Sequence, residues 1–260
     1  MPGSSTEAGA SRRTSPNAAL GVGYAATAMP ITAQTAIKTS VEGPKNGQTI
    51  FDVADTARRF AKAGYLAIAP ELYARQGEPT KYTEMTKLMS EVVARVPDEQ
   101  GMADLDGAVK WAGAYGGNLR KVGITGFCWG GRITWLNAEQ SKNVKAGVAW
   151  YGRLVGQPSA LTPRHPVDLA AGIMAPVLGL YGGQDGGIPL TTVNQMKDAL
   201  ADAGSEGNEA AQASEFAVYK DAPHAFHADY RSSYRKAAAD DSFARGSAVQ
   251  GKRRRAKHRK

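Results

Sequence analysis

Six residues, Gly126-Phe127-Cys128-Trp129-Gly130-Gly131, join the apolar run Val122–Phe127 to a helix-like stretch at residues 132–140. Few folds accommodate a cysteine between glycines at such a junction. The strand must end, the chain must turn sharply at Cys128, and a helix must leave at once. Glycines at 126 and 130 are expected where side chains would collide with neighbouring backbone. The departing helix would point its free amides and positive end at the sulfur, favouring a thiolate. The N–H of Trp129 would then be one donor to an oxyanion. A buried structural cysteine beside a glycine-rich turn is the plainer reading of the same residues.

The surrounding pattern supports the strand-turn-helix reading. Residues 65–70 (Y-L-A-I-A-P), 144–151, 176–181 and Glu215–Tyr219 are further short apolar runs. Helical spacing separates most of them, at residues 52–63, 83–96, 102–114, 132–140 and 193–203. Gly64 and Pro97 stand where the first two of these helices should stop. Short apolar strands alternating with helices predict an α/β domain, a mostly parallel sheet covered by helices on both faces. The spacing sets its bounds at residues 51–245. Residues 1–50 read as an N-terminal extension and linker, and residues 246–260 as a basic, disordered tail.

Charge narrows the partners. The chain carries 32 Lys and Arg against 24 Asp and Glu, a net charge of +8, which would ordinarily raise nucleic acid as a partner. Seven of those cations, however, fall in residues 251–260, and the rest of the chain is near neutrality. No specific nucleic-acid binding is expected, only nonspecific polyanion contact by the tail. No apolar run is long enough for a transmembrane helix. Arg12 and Arg13 precede a mildly apolar stretch at residues 18–29, a pattern like a twin-arginine export signal. The location is therefore cytoplasmic, or periplasmic if that segment acts as a signal. The single cysteine excludes an intramolecular disulfide and cysteine-rich zinc sites.

A nucleophilic thiol needs a base and a group to orient it. Asp185 lies in Y-G-G-Q-D-G-G, directly after the run at 176–181, and His224 in D-A-P-H-A-F, after Glu215–Tyr219. Both therefore sit where parallel strands deliver functional residues, in the order nucleophile, acid, histidine. Taken singly, Asp185 reads as a turn residue and His224 as a surface histidine. His227 lies three residues beyond His224, but no carboxylate or cysteine cluster supports a metal pair. His165 falls between prolines in a loop, and His258 is in the tail. No metal site is expected.

Together the elbow G-F-C-W-G-G, A-P-E-L-Y-A-R-Q at 69–76, A-W-Y-G at 149–152, Y-G-G-Q-D at 181–185 and A-P-H-A-F at 222–226 resemble the dienelactone hydrolases, or carboxymethylenebutenolidases. The likeness spans roughly residues 51–241. It implies an α/β-hydrolase fold and a Cys128–His224–Asp185 triad, in which His224 relays the proton and Asp185 orients the ring. It further implies hydrolysis, with no cofactor, of an unsaturated, carboxylate-bearing lactone of aromatic degradation to maleylacetate, and a monomer is expected. Arg75 matches an arginine that binds the substrate carboxylate in the family, a role suited to a planar fork. As a bare sequence position it is also an ordinary surface arginine. Tyr151 matches a pocket-lining residue, and a core tyrosine at a strand end fits equally.

Two stretches depart from the family pattern. The resemblance implies a very apolar central strand before the first helix, between the strands at 65 and 122, followed by a glutamate that partners the resting thiol. Residues 34–51 contain no such run, and Glu42 is the nearest acid. A missing or degenerate central strand would leave unpaired backbone on both neighbours. Without the glutamate, the thiolate is expected to pair directly with protonated His224 and to be more easily oxidised. At the other end, the helix-like run at 234–244 meets Gly246 and then the basic tail. The readings that follow are a lactone hydrolase of the dienelactone type, a thiol esterase with another substrate, and an impaired remnant of such a hydrolase or a binding protein acting through its basic tail.

Overall fold

The computed structural model describes residues 25–30, 53–229 and 231–252. The elements, in chain order, begin with strand β1 (Ala25–Pro30), helix α1 (Val53–Lys62) and β2 (Tyr65–Ile68). Helices α2 (Met85–Glu91) and α3 (Asp98–Ala114) lead to β3 (Val122–Phe127), α4 (Trp129–Gln140) and β4 (Val144–Trp150). After α5 (Pro166–Leu169) come β5 (Val177–Gly182), α6 (Leu190–Ser205), α7 (Glu209–Gln212), β6 (Glu215–Tyr219) and α8 (Lys236–Lys252). The expected helix at 83–96 breaks after α2. Val92 adopts φ −118°, ψ −65°, and Val93–Arg95 tightens into a 3₁₀ turn that buries Val92 and Val93.

The strands form one sheet in the order β2-β1-β3-β4-β5-β6. From β3 to β6 the pairing is parallel throughout, as the α/β pattern requires. The position expected to lack a strand is occupied. β1 runs antiparallel to both neighbours, with Thr27 opposite Ile68 on one side and Ile124 on the other. This strand comes from the segment assigned to the N-terminal extension, not from residues 34–51, which lie outside the described residues, as do Arg12, Arg13, Glu42 and residues 253–260. The gap in the sheet that motivated the remnant reading is therefore absent.

Side-chain alternation along β4 explains the two helical layers. Gly147 faces Thr134 of α4, while Val148 and Trp150 face the opposite layer, where Gly246 of α8 packs on them. A Cβ at Gly246 would come within 3.3 Å of Val148. Gly246 is thus a point of close helix–sheet approach, which is why α8 continues past it to Lys252 rather than stopping there. Phe243 of α8 also meets Phe60 of α1, so these two helices share the second layer. The core runs through β3, β4 and β5 into α4 and α6, with Ile124, Ile133, Trp135 and Leu180 fully buried. No described helix is long and apolar enough to cross a membrane.

Candidate active site

Three loops at the C-terminal ends of β3, β5 and β6 converge on one point. Cys128 follows β3 directly and holds φ 54°, ψ −118°, a region that disfavours side chains. Its N–H is tied to Trp150 O at 3.0 Å, and its carbonyl accepts from Gly131 and Arg132. Such a backbone costs on the order of 1–3 kcal/mol and persists because the surroundings enforce it. The tight contact lies at Gly131, the last residue of the elbow motif. A Cβ there would stand 2.6 Å from Trp150 O and 2.9 Å from Gly152 backbone. Gly152 is reciprocally crowded by Gly131 and Arg132. The helix therefore seats directly on the end of β4. Trp129 is the first helical residue, where main-chain N–H groups lack an intrahelical acceptor.

Asp185 and His224 meet because their loops lie against each other. A Cβ at Gly182 would fall 2.2 Å from Ala222 O, and one at Gly183 2.5 Å from Lys220 O. Only glycine lets the two chains close, and Gly183 N–H to Tyr219 O and Gln184 N–H to Ala222 O lock them. The Asp185 side chain is fully buried. One carboxylate oxygen accepts from Gly187 N–H and Ile188 N–H at 3.0 and 3.1 Å. The other lies 2.7 Å from His224 Nδ1. His224 Nε2 in turn lies 3.2 Å from Cys128 Sγ. Behind the imidazole, the buried Tyr151 ring (φ 38°) presents its edge at 5.1 Å.

Burial opposes a charge on His224, yet the hydrogen bonds to Asp185 and Cys128, with their negative charges, outweigh it and raise its pKa to about 10. The imidazole is therefore a cation at neutral pH, held between carboxylate and sulfur. That arrangement can deliver a nucleophilic sulfur and a proton on the same side of a bound carbonyl.

The remaining candidates make contacts outside the triad. Arg75 is largely exposed and makes a paired contact with Asp104 of α3 at 2.5 and 2.7 Å. His227 stacks between Phe127 and Phe243 and against Trp150, where burial and the nearby Arg59 push its pKa down to about 4. His165 is buried beside Arg132. No group of three or more His, Cys, Asp or Glu among the described residues is placed to hold a metal. Sequence reasoning missed Gly152 and the two N–H donors that hold Asp185. The glycine runs in A-W-Y-G and Y-G-G-Q-D-G-G carried the signal for both.

A strand-turn-helix elbow on a mostly parallel sheet, with an acid and a histidine delivered from the ends of two later strands, defines an α/β-hydrolase fold. More narrowly, residues 45–249 match the dienelactone hydrolase family, and the chain belongs to that family. A protein of Methylorubrum extorquens provisionally named carboxymethylenebutenolidase is 47% identical over 90% of both chains. One from Salmonella typhimurium with the same provisional name is 51% identical over 74% of this chain and 69% of its own. Among solved structures, a provisionally assigned dienelactone hydrolase from Klebsiella pneumoniae superposes with a TM-score of 0.72. It is 46% identical, covering 76% of this chain and 80% of its own.

Proposed function

We propose that this hydrolase cleaves a carboxylic ester or lactone through Cys128, with His224 and Asp185 as its relay. The observation that carries the reading is the unbroken line from Asp185 to His224 to Cys128, at 2.7 and 3.2 Å. The sulfur attacks the carbonyl carbon, and the oxyanion that forms accepts from the Trp129 N–H. The carbon–oxygen bond breaks, and His224 Nε2–H gives its proton to the departing alkoxide. Water then enters, loses a proton to Nε2 and attacks the thioester. The carbon–sulfur bond breaks, the acid product leaves as its carboxylate with one proton released to solvent, and the thiolate–imidazolium pair is restored.

A lactone of the dienelactone type, opening to maleylacetate, is the substrate the family implies. Its carboxylate would take one arm of the Arg75 fork in competition with Asp104, so R75A should raise KM for the acidic lactone and leave a neutral aryl acetate unaffected. Tyr151 backs the imidazole and sets its ring plane. The test is direct. Protein quenched in acid during aryl-acetate turnover should carry one acetyl group on the peptide containing Cys128. Turnover with the acetyl group on another residue, or with none on Cys128 under single-turnover conditions, would overturn the assignment.

A further inference from the structure

Arg132 is buried in the first turns of α4, four residues beyond Cys128, and no step above uses it. Its guanidinium makes a paired contact with Asp98 at the start of α3, at 2.5 and 2.7 Å. A third N–H reaches Arg164 O at 2.8 Å, and Nε donates to His165 Nδ1 at 3.4 Å. An arginine is always a donor, so Nδ1 of His165 must be the acceptor and Nε2 must carry the proton. That Nε2–H meets Gln157 O at 3.1 Å.

Apart from the ion pair to Asp98, these contacts secure one segment. Residues 152–165 contain no helix or strand, an unusual length of irregular chain in a compact domain. The segment leaves β4 at Tyr151 and Gly152, the residues packed on His224 and Gly131. It is held at Arg164 by Arg132, at Gln157 through His165, and at Leu161 by the Asp98 N–H at 2.9 Å. Gly156 lies flat on the imidazole, where a Cβ would meet His165 at 2.4 Å. Buried ion pairs contribute little net stability compared with apolar packing, but they do specify one geometry.

We propose that Arg132 is a positioning residue, fixing residues 153–164 as a wall of the substrate site and thereby setting which esters fit. The selectivity half of this proposal rests on the ester-hydrolase reading above; the wall itself does not. R132K keeps a charge opposite Asp98 but loses the fork and the contacts to Arg164 and His165.

Tryptic cleavage of the folded protein after the exposed Arg153 and Arg164 reads the wall without catalysis, and R132K should speed it about tenfold. In the same variant, KM for a bulky aryl ester should change at least about fivefold while kcat for aryl acetate stays within about twofold. Unchanged cleavage in folded R132K would overturn the proposal, as would an equal loss of kcat on both esters. H165Q, which leaves the Arg132–Asp98 pair in place, carries both readouts should R132K fail to fold. A parent protein inert to every ester would refute the proposed function, while the cleavage rates would still report on the wall.

Discussion

Alanine at Gly131 and alanine at Gly107 are the same chemical change with opposite expected signs. At Gly131 the new methyl meets Trp150 O at 2.6 Å on one side and Gly152 backbone at 2.9 Å on the other. These are backbone atoms of β4 and of the chain that leaves it, and they cannot rotate away. Relief to an ordinary 3.4 Å contact requires the helix to back off by about 0.8 Å. Overpacking of this kind costs about 1–3 kcal/mol. In a domain of this size that lowers Tm by about 3–10 °C. Because α4 begins directly after Cys128, the displacement also moves Cys128 relative to His224, and a shift near 1 Å can cost about 100-fold in rate. Gly107, exposed in the middle of α3, leaves open space where the new methyl would sit, with nothing within 4 Å. Alanine there should stabilise by roughly 0.5–1 kcal/mol through helix propensity, with activity unchanged. Differential scanning fluorimetry and kcat/KM on aryl acetate measure both. If G131A melts and turns over like the parent, the seat of the elbow has been misunderstood.

Other expectations follow from the same geometry. His224 is raised from an ordinary value near 6.5 to about 10, so its contribution to stability is complete below pH 6.5 and lost as pH rises through 10. The Tm difference between the parent and H224Q should shrink over that window, and kcat/KM should hold until its alkaline limb near pH 10; a limb near 7 would contradict the ion pair. Glu139 of α4 buries both carboxyl oxygens without a hydrogen-bond partner among the described residues, and burial pushes its pKa up to about 9 against the pull of Arg132 and Arg164. E139L should therefore stabilise by about 1–3 kcal/mol at neutral pH, with the advantage fading as pH falls toward 4.5, when the unfolded carboxyl is protonated as well. Deleting residues 1–31 removes β1 and exposes the inner edges of β2 and β3, so soluble yield should collapse.

Much of this site was legible because its chemistry depends on short, local signals. Val122–Phe127 and Glu215–Tyr219 are apolar runs ended by turn residues, and both form strands over those residues. Asp185 and His224 follow their strands within a few residues, so their order along the chain carried their place in space. β1 gave no such signal. Ala-Ala-Thr-Ala-Met-Pro has no branched aliphatic or aromatic residue, and its place comes from hydrogen bonding to two waiting neighbours rather than from its own propensity. Gly246 misled for the opposite reason. A glycine near a helix end signals a stop, but here it serves tertiary packing on Val148 and Trp150. The Arg132–Asp98–His165 cluster joins three distant segments, and nothing local marks residues 98, 132 and 165 as partners.

The central claim is that one thiol does the chemistry, and the chain has one cysteine. Hydrolysis of dienelactone and of an aryl acetate by purified protein, with and without prior iodoacetamide, tests it most directly. Turnover of at least one substrate that disappears in step with alkylation of Cys128 is the expected result. Turnover that survives complete alkylation would place the nucleophile elsewhere and contradict the account.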